Sequence, residues 1–200
     1  MTTKPTVLLL AAGQSTRWRA GGASSAAHKL EAPFANSTVF AQSLANALAS
    51  ALPARVAVSE ATPPAVKAMC RMLDVPTLLC SGGMSDVIAQ AVRQTQSDAG
   101  WLIAPADMPC ISKAAYTAVA TALAQGATIA APTYNGQRGH PVGFATSLRG
   151  ELLALSGDAG ARAVLQHHAQ AVTHIAVGDA GILLDIDTPE DLHAAQSRFS

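Results

Sequence analysis

Charge is scarce in this sequence of 200 residues: 13% of them are Asp, Glu, Lys or Arg, and the 13 basic and 13 acidic side chains cancel to a formal net charge of zero. Without a basic excess the chain lacks the electrostatic footprint that usually grips nucleic acids or anionic membranes, so any anion site has to be local. Aromatic residues amount to 4% and cysteine to three residues. Cys70, Cys80 and Cys110 are widely spaced, odd in number and form no C-x-x-C pair. That pattern excludes a disulfide framework and reads as reduced thiols in or near a core. No apolar stretch reaches membrane-spanning length, and the first five residues pass into a strand-length apolar run without a signal-peptide pattern. These absences predict a cytoplasmic protein with neither a nucleic-acid nor a membrane partner.

What is present is apolar residue, half of the sequence, enough for one substantial core and most simply a single domain over residues 1–200. Strands and helices alternate along it. Apolar runs predict strands at Val7 to Ala11, Arg55 to Ser59, Thr77 to Cys80, Trp101 to Ala104, Ala127 to Ala131, His174 to Val177 and Ile182 to Ile186. Helices are expected at Thr38 to Ala51 behind a Ser/Thr cap, from Pro63-Pro64 to Met72, at Ser85 to Thr95, and from a Ser112 cap to Ala124. Further helices are expected near Leu148 to Leu155, at Ala159 to His168, and after Thr188-Pro189 with acids in the first turn. Such alternation implies a three-layer α/β/α sandwich, Rossmann-like, with a mostly parallel sheet and ligands gathered at the carboxyl ends of the strands.

That geometry brings together the loops that follow the first, third and fourth strands. The first, Ala11-Ala12-Gly13-Gln14-Ser15-Thr16-Arg17, empties an apolar strand into small residues and leads through a Gly/Ser-rich stretch to Lys29. Its backbone N–H groups and two cations suit a polyphosphate, although an ordinary βα loop has the same look. The second is Ser81-Gly82-Gly83-Met84-Ser85. The third places Asp107 between Pro105 and Pro109, where a carboxylate opposite a phosphate loop suits a bridging divalent cation. A second acidic candidate is the run Asp185-Ile186-Asp187-Thr188-Pro189-Glu190-Asp191. Strand alternation would point Asp185 and Asp187 to one side; either Thr188 caps the helix and leaves Asp187 free, or Asp187 is itself the cap.

Taken together, Leu10-Ala11-Ala12-Gly13-x-Ser15-x-Arg17 with Lys29-Leu30, Ala106-Asp107-Met108-Pro109, Arg138-Gly139-His140-Pro141-Val142, Gly157-Asp158-x-Gly160-Ala161-Arg162 and Asp185 to Leu192 resemble the MobA-like nucleotidyltransferases. Within that group they look most like the molybdenum cofactor cytidylyltransferases. The resemblance implies a nucleotide-binding half (about residues 1–112) and an acceptor-binding half (about residues 113–200). It assigns Ala11, Ala12 and Gly13, with Arg17 and Lys29, to the triphosphate, and Ser81, Gly82, Gly83 and Ser85 to base and ribose. Asp107 and Asp187 fall to Mg²⁺, with Arg17, Lys29 and Asp107 as the catalytic set. Gly139, His140, Pro141, Asp158 and Arg162 would border the acceptor. One departure stands out: Trp18 to His28 intervene between Arg17 and Lys29, lengthening the loop.

The implied reaction is attack of an acceptor phosphate on the α-phosphorus of a nucleoside triphosphate, CTP favoured by the Ala-Ala-Gly loop. Pyrophosphate leaves, and no covalent enzyme intermediate forms. The implied acceptor is molybdopterin, with a molybdoenzyme or chaperone as partner; guanylyl and sugar-phosphate transfer are the neighbouring activities. Other chemistry fares worse. His140, His167 and His168 have no zinc spacing, the serines lack a credible base, and neither a P-loop nor G-x-G-x-x-G is present. A nicotinamide oxidoreductase using Glu60, and a nucleotide-sensing or cofactor-carrier module without turnover, are the rival classes.

Overall fold

A computed structural model describes residues 4–20, 28–97 and 99–199. In chain order the elements are β1 (Thr6–Leu10), α1 (Thr16–Ala20), β2 (Pro33–Phe34), β3 (Ser37–Thr38), α2 (Val39–Ala49), β4 (Ala54–Val58), α3 (Pro64–Met72), β5 (Thr77–Leu79) and α4 (Met84–Arg93). Then follow β6 (Trp101–Pro105), α5 (Lys113–Ala124), β7 (Ile129–Tyr134), β8 (Gln137–Arg138), β9 (Val142–Phe144), α6 (Arg149–Leu153), α7 (Arg162–His167), β10 (Val172–Ala176) and α8 (Pro189–Phe199).

The main sheet runs β10-β7-β9-β6-β1-β4-β5, with β8 paired to β7. Pairing is parallel from β6 through β1 and β4 to β5, and between β7 and β10; β9 runs antiparallel to both β6 and β7. The sheet is therefore mostly parallel, mixed only where β9 and β8 enter.

Alternation along the central strands explains why they read as unbroken apolar runs. Val7 and Leu9 of β1 and Leu102 and Ala104 of β6 face one core with α2, α3, α5 and α8. Leu8, Trp101 and Ile103 face the other core with α4, α6 and α7. Both faces are covered, so neither set of side chains can be polar. The Trp101 indole, fully buried, donates to Thr95 Oγ1 at 2.9 Å, which satisfies its one polar atom. Helix starts follow local chemistry: Thr38 caps α2 and Ser112 caps α5 through side-chain oxygens that accept from Ala41 and Ala115 N–H.

The structure departs from the predicted elements in three places. Val142–Phe144, not among the predicted strands, is a strand, made viable by Gly143, where an added Cβ would run into Val119 and Leu123 of α5. Pro33–Phe34 and Ser37–Thr38 form a small hairpin that two-residue strands could not announce. The apolar segment Ile182 to Ile186 is no strand: Ala180–Leu183 is a 3-10 turn capped by Asp179, and β10 already forms the sheet edge. Ile182 and Ile186 are still fully buried, so their hydrophobic signal is met by packing instead of pairing.

The chain order places a switch point beside β1. Its strand neighbour on one side is β4, reached through α2, and on the other β6, reached only after β5 and α4. A crevice opens between the carboxyl ends of two strands whose connections leave in opposite directions. The loops at Gly13 and at Asp107 both issue there.

Candidate active site

At that point lies a cavity of about 870 Å³, lined from the first loop by Ala11, Ala12, Gly13 and Arg17, and from elsewhere by Lys29, Gly82, Gly83, Asp107, Gly139, His140, Asp158, Arg162 and Asp187. Its size is in the range of small-molecule pockets.

The Gly13 loop is held from behind. Thr62 Oγ1 donates to Ala11 O at 2.8 Å, Ser59 Oγ to Ala12 O at 3.1 Å, and His28 Nε2 lies 3.1 Å from Gly13 O. Three consecutive carbonyls are thus satisfied by side chains of the protein, while the N–H groups of Ala12 to Ser15 donate to no group among the described residues. Unpaired amides on a loop whose carbonyls are tied back make an anion cradle. An added Cβ at Gly13 would meet nothing within 4 Å, so the cradle is open at its centre. Ser59 and Thr62 escape sequence reasoning because their role is a hydrogen bond made 47 and 51 residues away.

His28 closes the lengthened loop onto its start. Its Nδ1 accepts from Leu30 N–H at 3.2 Å, which places the ring proton on Nε2, 3.0 Å from Ser15 Oγ and directed at Gly13 O. Burial holds the His28 pKa below its ordinary value, so the neutral ring this geometry needs is favoured. Trp18, within the same insertion, is 2% exposed and joins the core beside Leu30. The inserted loop is anchored at both ends; residues 21–27 lie outside the described residues.

Lys29 stands at the centre of the charges. Its Nζ is 2.5 Å from Asp107 Oδ2 and 2.6 Å from Asp187 Oδ1, and Arg17 Nη1 is 2.5 Å from Asp187 Oδ2. Burial alone would depress the Lys29 pKa, but the two carboxylates outweigh it and raise it. For Asp187 burial pushes up, and the Lys29 hydrogen bond with the charges of Lys29 and Arg17 prevails and holds it down. Lys29 and Asp187 therefore stay ionised at neutral pH. Arg17 is 75% exposed, so its pair with Asp187 is worth little to stability.

The Asp187 segment reaches Asp107 through one backbone bond: Ile186 N–H donates to Asp107 O at 3.0 Å. Thr188 is the cap of α8, its Oγ1 accepting from Asp191 N–H while Asp191 Oδ2 accepts from the N–H groups of Asp187 and Thr188. That leaves the Asp187 carboxylate free to face Lys29, whereas Asp185 lies exposed at the rim. Asp107 Oδ1 is buried and has no hydrogen-bond partner among the described residues. An anionic oxygen left unsatisfied beside a second carboxylate fits a hard divalent cation such as Mg²⁺.

The remaining expected positions divide. Gly82 and Gly83 line the cavity; Ser81 and Ser85 do not. Ser81 has its N–H and carbonyl both taken by Gln90, and Ser85, 1% exposed, donates its hydroxyl to Gly160 O at 2.9 Å. Ser85 N–H also donates to Gly157 O, and Asp86 Oδ1 and Oδ2 accept from Gly157 and Gly83 N–H. This seam joins the two loops so closely that a Cβ at Gly83 would collide with Gly157 and Asp158. Gly139 is likewise required by close approach to Ile182, whose carbonyl accepts from His140 N–H at 3.0 Å. His140 faces the cavity with Nδ1 buried and unpartnered, and burial, helped by Arg138, lowers its pKa; Pro141 follows through a cis peptide bond and lies behind the lining. Cys70 and Cys110 are buried thiols whose pKa values burial pushes up to about 11 and about 12, so they remain protonated.

The sequence model of the MobA-like NTP transferase domain matches residues 7–172. The chain belongs to the MobA-like NTP transferase family. Nucleotidyl transfer is the activity that this membership carries. Among solved structures the fold is shared with a nucleotidyl transferase from Methanothermobacter thermautotroptrophicus, Mth528 (TM-score 0.83, 19% identity, 99% of this chain and 98% of that one). It is also shared with Rv0371c from Mycobacterium tuberculosis H37Rv (TM-score 0.77, 23% identity, 98% and 99%), which has been crystallised with manganese as well. A third is the 4-diphosphocytidyl-2C-methyl-D-erythritol synthase of Anaerococcus prevotii DSM 20548 (TM-score 0.74, 11% identity, 99% of both chains). No curated protein matches the sequence. No helix among the described residues is long and apolar enough to cross a membrane.

Proposed function

We propose that this MobA-like NTP transferase moves a cytidylyl group from CTP to a phosphate-bearing acceptor of the molybdopterin type and releases pyrophosphate. The observation that carries the reading is the Lys29, Asp107, Asp187 and Arg17 cluster facing the open amides of the Gly13 loop across one crevice. Ala12 to Ser15 would hold the triphosphate through backbone N–H groups, and Gly82 and Gly83 would border base and ribose. Asp107 and Asp187 would hold Mg²⁺, which supplies charge neutralisation on the phosphates and at the α-phosphorus. The Lys29 ammonium and the Arg17 guanidinium would meet the β- and γ-phosphates and stabilise the departing pyrophosphate.

The acceptor phosphate enters from the second half of the chain. Arg138 and Arg162 line the cavity and form no salt bridge among the described residues, so both are available to an anion. His140, kept neutral by burial, can donate or accept a hydrogen bond but is not needed as a base, because the attacking phosphate oxygen is already ionised. The acceptor oxygen forms a bond to the α-phosphorus as the bond to the bridging oxygen of pyrophosphate breaks. The protein's part is positioning and charge compensation. CTP is favoured by the Ala11-Ala12-Gly13 form of the loop, and the molybdopterin class by the resemblance to the molybdenum cofactor cytidylyltransferases; one structural neighbour is a 4-diphosphocytidyl-2C-methyl-D-erythritol synthase. A cytoplasmic setting and a molybdoenzyme or chaperone recipient belong to the same reading.

The test is pyrophosphate release with Mg²⁺, crossing CTP, GTP, UTP and ATP with molybdopterin and a panel of sugar and alditol phosphates. Turnover restricted to CTP with molybdopterin is expected. Turnover with a sugar phosphate alone would replace the acceptor, and nucleotide binding without pyrophosphate release under any pairing would sink the enzymatic reading.

A further inference from the structure

The sequence spacing of His167 and His168 gives no metal motif, but folding supplies a third donor from another helix. Glu151 of α6 lies with Oε2 2.9 Å from His167 Nδ1 and Oε1 2.7 Å from His168 Nε2. One donor atom from each residue falls within 4.8 Å of the others, and the two rings are tilted by 41° with centroids 4.6 Å apart. The hydrogen bonds from the two histidines also hold the Glu151 carboxyl below the usual carboxylate range, so an anion is ready beside two imidazoles.

We propose that Glu151, His167 and His168 form a second divalent-metal site, selective for a borderline transition ion such as Zn²⁺ and distinct from the all-oxygen pair Asp107 and Asp187. Two imidazole nitrogens and one carboxylate are a three-ligand zinc set that leaves a fourth position to water, and Mg²⁺ has no use for nitrogen donors. Donors around a tetrahedral Zn²⁺ lie about 3.4 Å apart, from bond lengths of about 2.0–2.1 Å. Pairs now joined by hydrogen bonds at 2.7 and 2.9 Å need only small rotations to open around an ion that replaces the shared protons. The side chains can make them, being 73% (His167), 25% (His168) and 38% (Glu151) exposed.

The site's consequence follows from what it brackets. Glu151 precedes and the two histidines follow the segment from Asp158 to Arg162, which lines the cavity on the side proposed for the acceptor. An ion bound across α6 and α7 would rivet the two ends of that segment together. It would do so without touching the cavity, so it acts on how firmly the acceptor wall is held.

The experiment uses the full chain, with any histidine tag removed, at pH 7.5 in excess Mg²⁺. Zn²⁺ is titrated by calorimetry and Co²⁺ by visible absorption, on the wild type, Glu151→Gln, the double variant His167→Gln/His168→Gln, and Asp107→Ala. One equivalent of Zn²⁺, an intense four-coordinate Co²⁺ spectrum, and a loss of at least about tenfold in affinity in the first two variants are expected. Asp107→Ala should bind Zn²⁺ as the wild type does. The Glu151 and His167 side chains are exposed and His168 and Asp107 are partly buried, so circular dichroism checks that each variant keeps the fold. Zn²⁺ should also raise the melting temperature of the wild type and not that of the double variant. Equal binding by the wild type and the double variant, or loss of binding in Asp107→Ala instead, overturns the proposal.

Discussion

On the β1 and β6 side of the cleft the central charges are matched: Lys29 lies between Asp107 and Asp187, and Arg17 completes Asp187. On the facing side, Arg138 and Arg162 line the same cavity without a salt bridge among the described residues, beside an unpartnered His140 Nδ1. The first arrangement is preorganised in position: Lys29, Arg17, Asp107 and Asp187 are already gathered where the proposed phosphates and metal would bind, so that their partners change more than their places. The second is left open, with exposed cations able to adapt to an anion that differs from enzyme to enzyme. Under the proposed function this contrast would put the chemistry on the first side and the choice of acceptor on the second.

Asp107→Ala is the strongest attempt to break that division. It removes the buried orphan oxygen and one of the two partners of Lys29, and turnover should fall by about 10²–10³-fold, as when one preorganised stabilising group is lost. Circular dichroism should show the fold intact, and near-normal turnover would remove Asp107 from the site. Lys29→Met comes next, with an expected loss of about 10²-fold in kcat and little change in the KM of the acceptor. It also leaves two carboxylates facing each other without their cation, so the pKa of Asp187, now held low mainly by Lys29, should rise towards its ordinary value; carboxyl NMR titration reads this directly.

Arg162→Ala tests the open side. Its expected signature is a rise of about tenfold in the KM of the acceptor, the order of one charge-assisted hydrogen bond, with the KM for nucleotide unchanged. A matching rise in the nucleotide KM would show that the two sides are not separable.

The first side was also the more legible one in the sequence. Gly13 and Asp107 sit directly after unbroken apolar strands, where the strand ends and the sheet rule alone bring their loops together, and Arg17 and Lys29 follow Gly13 along the same lengthened loop. Asp187 was reachable for a different reason than expected. Strand alternation pointed to it, yet it is placed by the Ile186 bond to Asp107 and by Thr188 taking the cap. The second side depends on β9, too short and glycine-containing to signal a strand, and on the Ser85 and Asp86 seam, whose partners lie 71 and 75 residues away. Neither periodicity nor local propensity carries such information. Ser81 and Ser85 were drawn in because small polar residues after a strand look alike, whether they face a ligand or a neighbouring loop.

His28 gives the smallest and most discriminating effect. It touches no cavity charge, but through Leu30 N–H and Gly13 O it fixes the residue before Lys29 against the phosphate loop. His28→Ala should lower kcat/KM for nucleotide by several-fold and destabilise the fold by about 1–3 kcal/mol, the cost of leaving buried polar groups unpaired. His28→Gln, whose amide can still donate to Gly13 O, should recover part of both. The pH dependence separates this positioning role from simple packing. Burial keeps the folded pKa of His28 below the ordinary 6.5, so the unfolded chain takes up the proton first. Its contribution to stability is therefore complete above pH 6.5 and is lost as pH falls through the lowered folded value. Urea unfolding between pH 7.5 and 5 should show this decline in the wild type and a flatter profile in His28→Gln. Identical profiles would mean that the ring is held by packing alone and that the matched side of the cleft is preorganised by the Lys29 ion pairs without it.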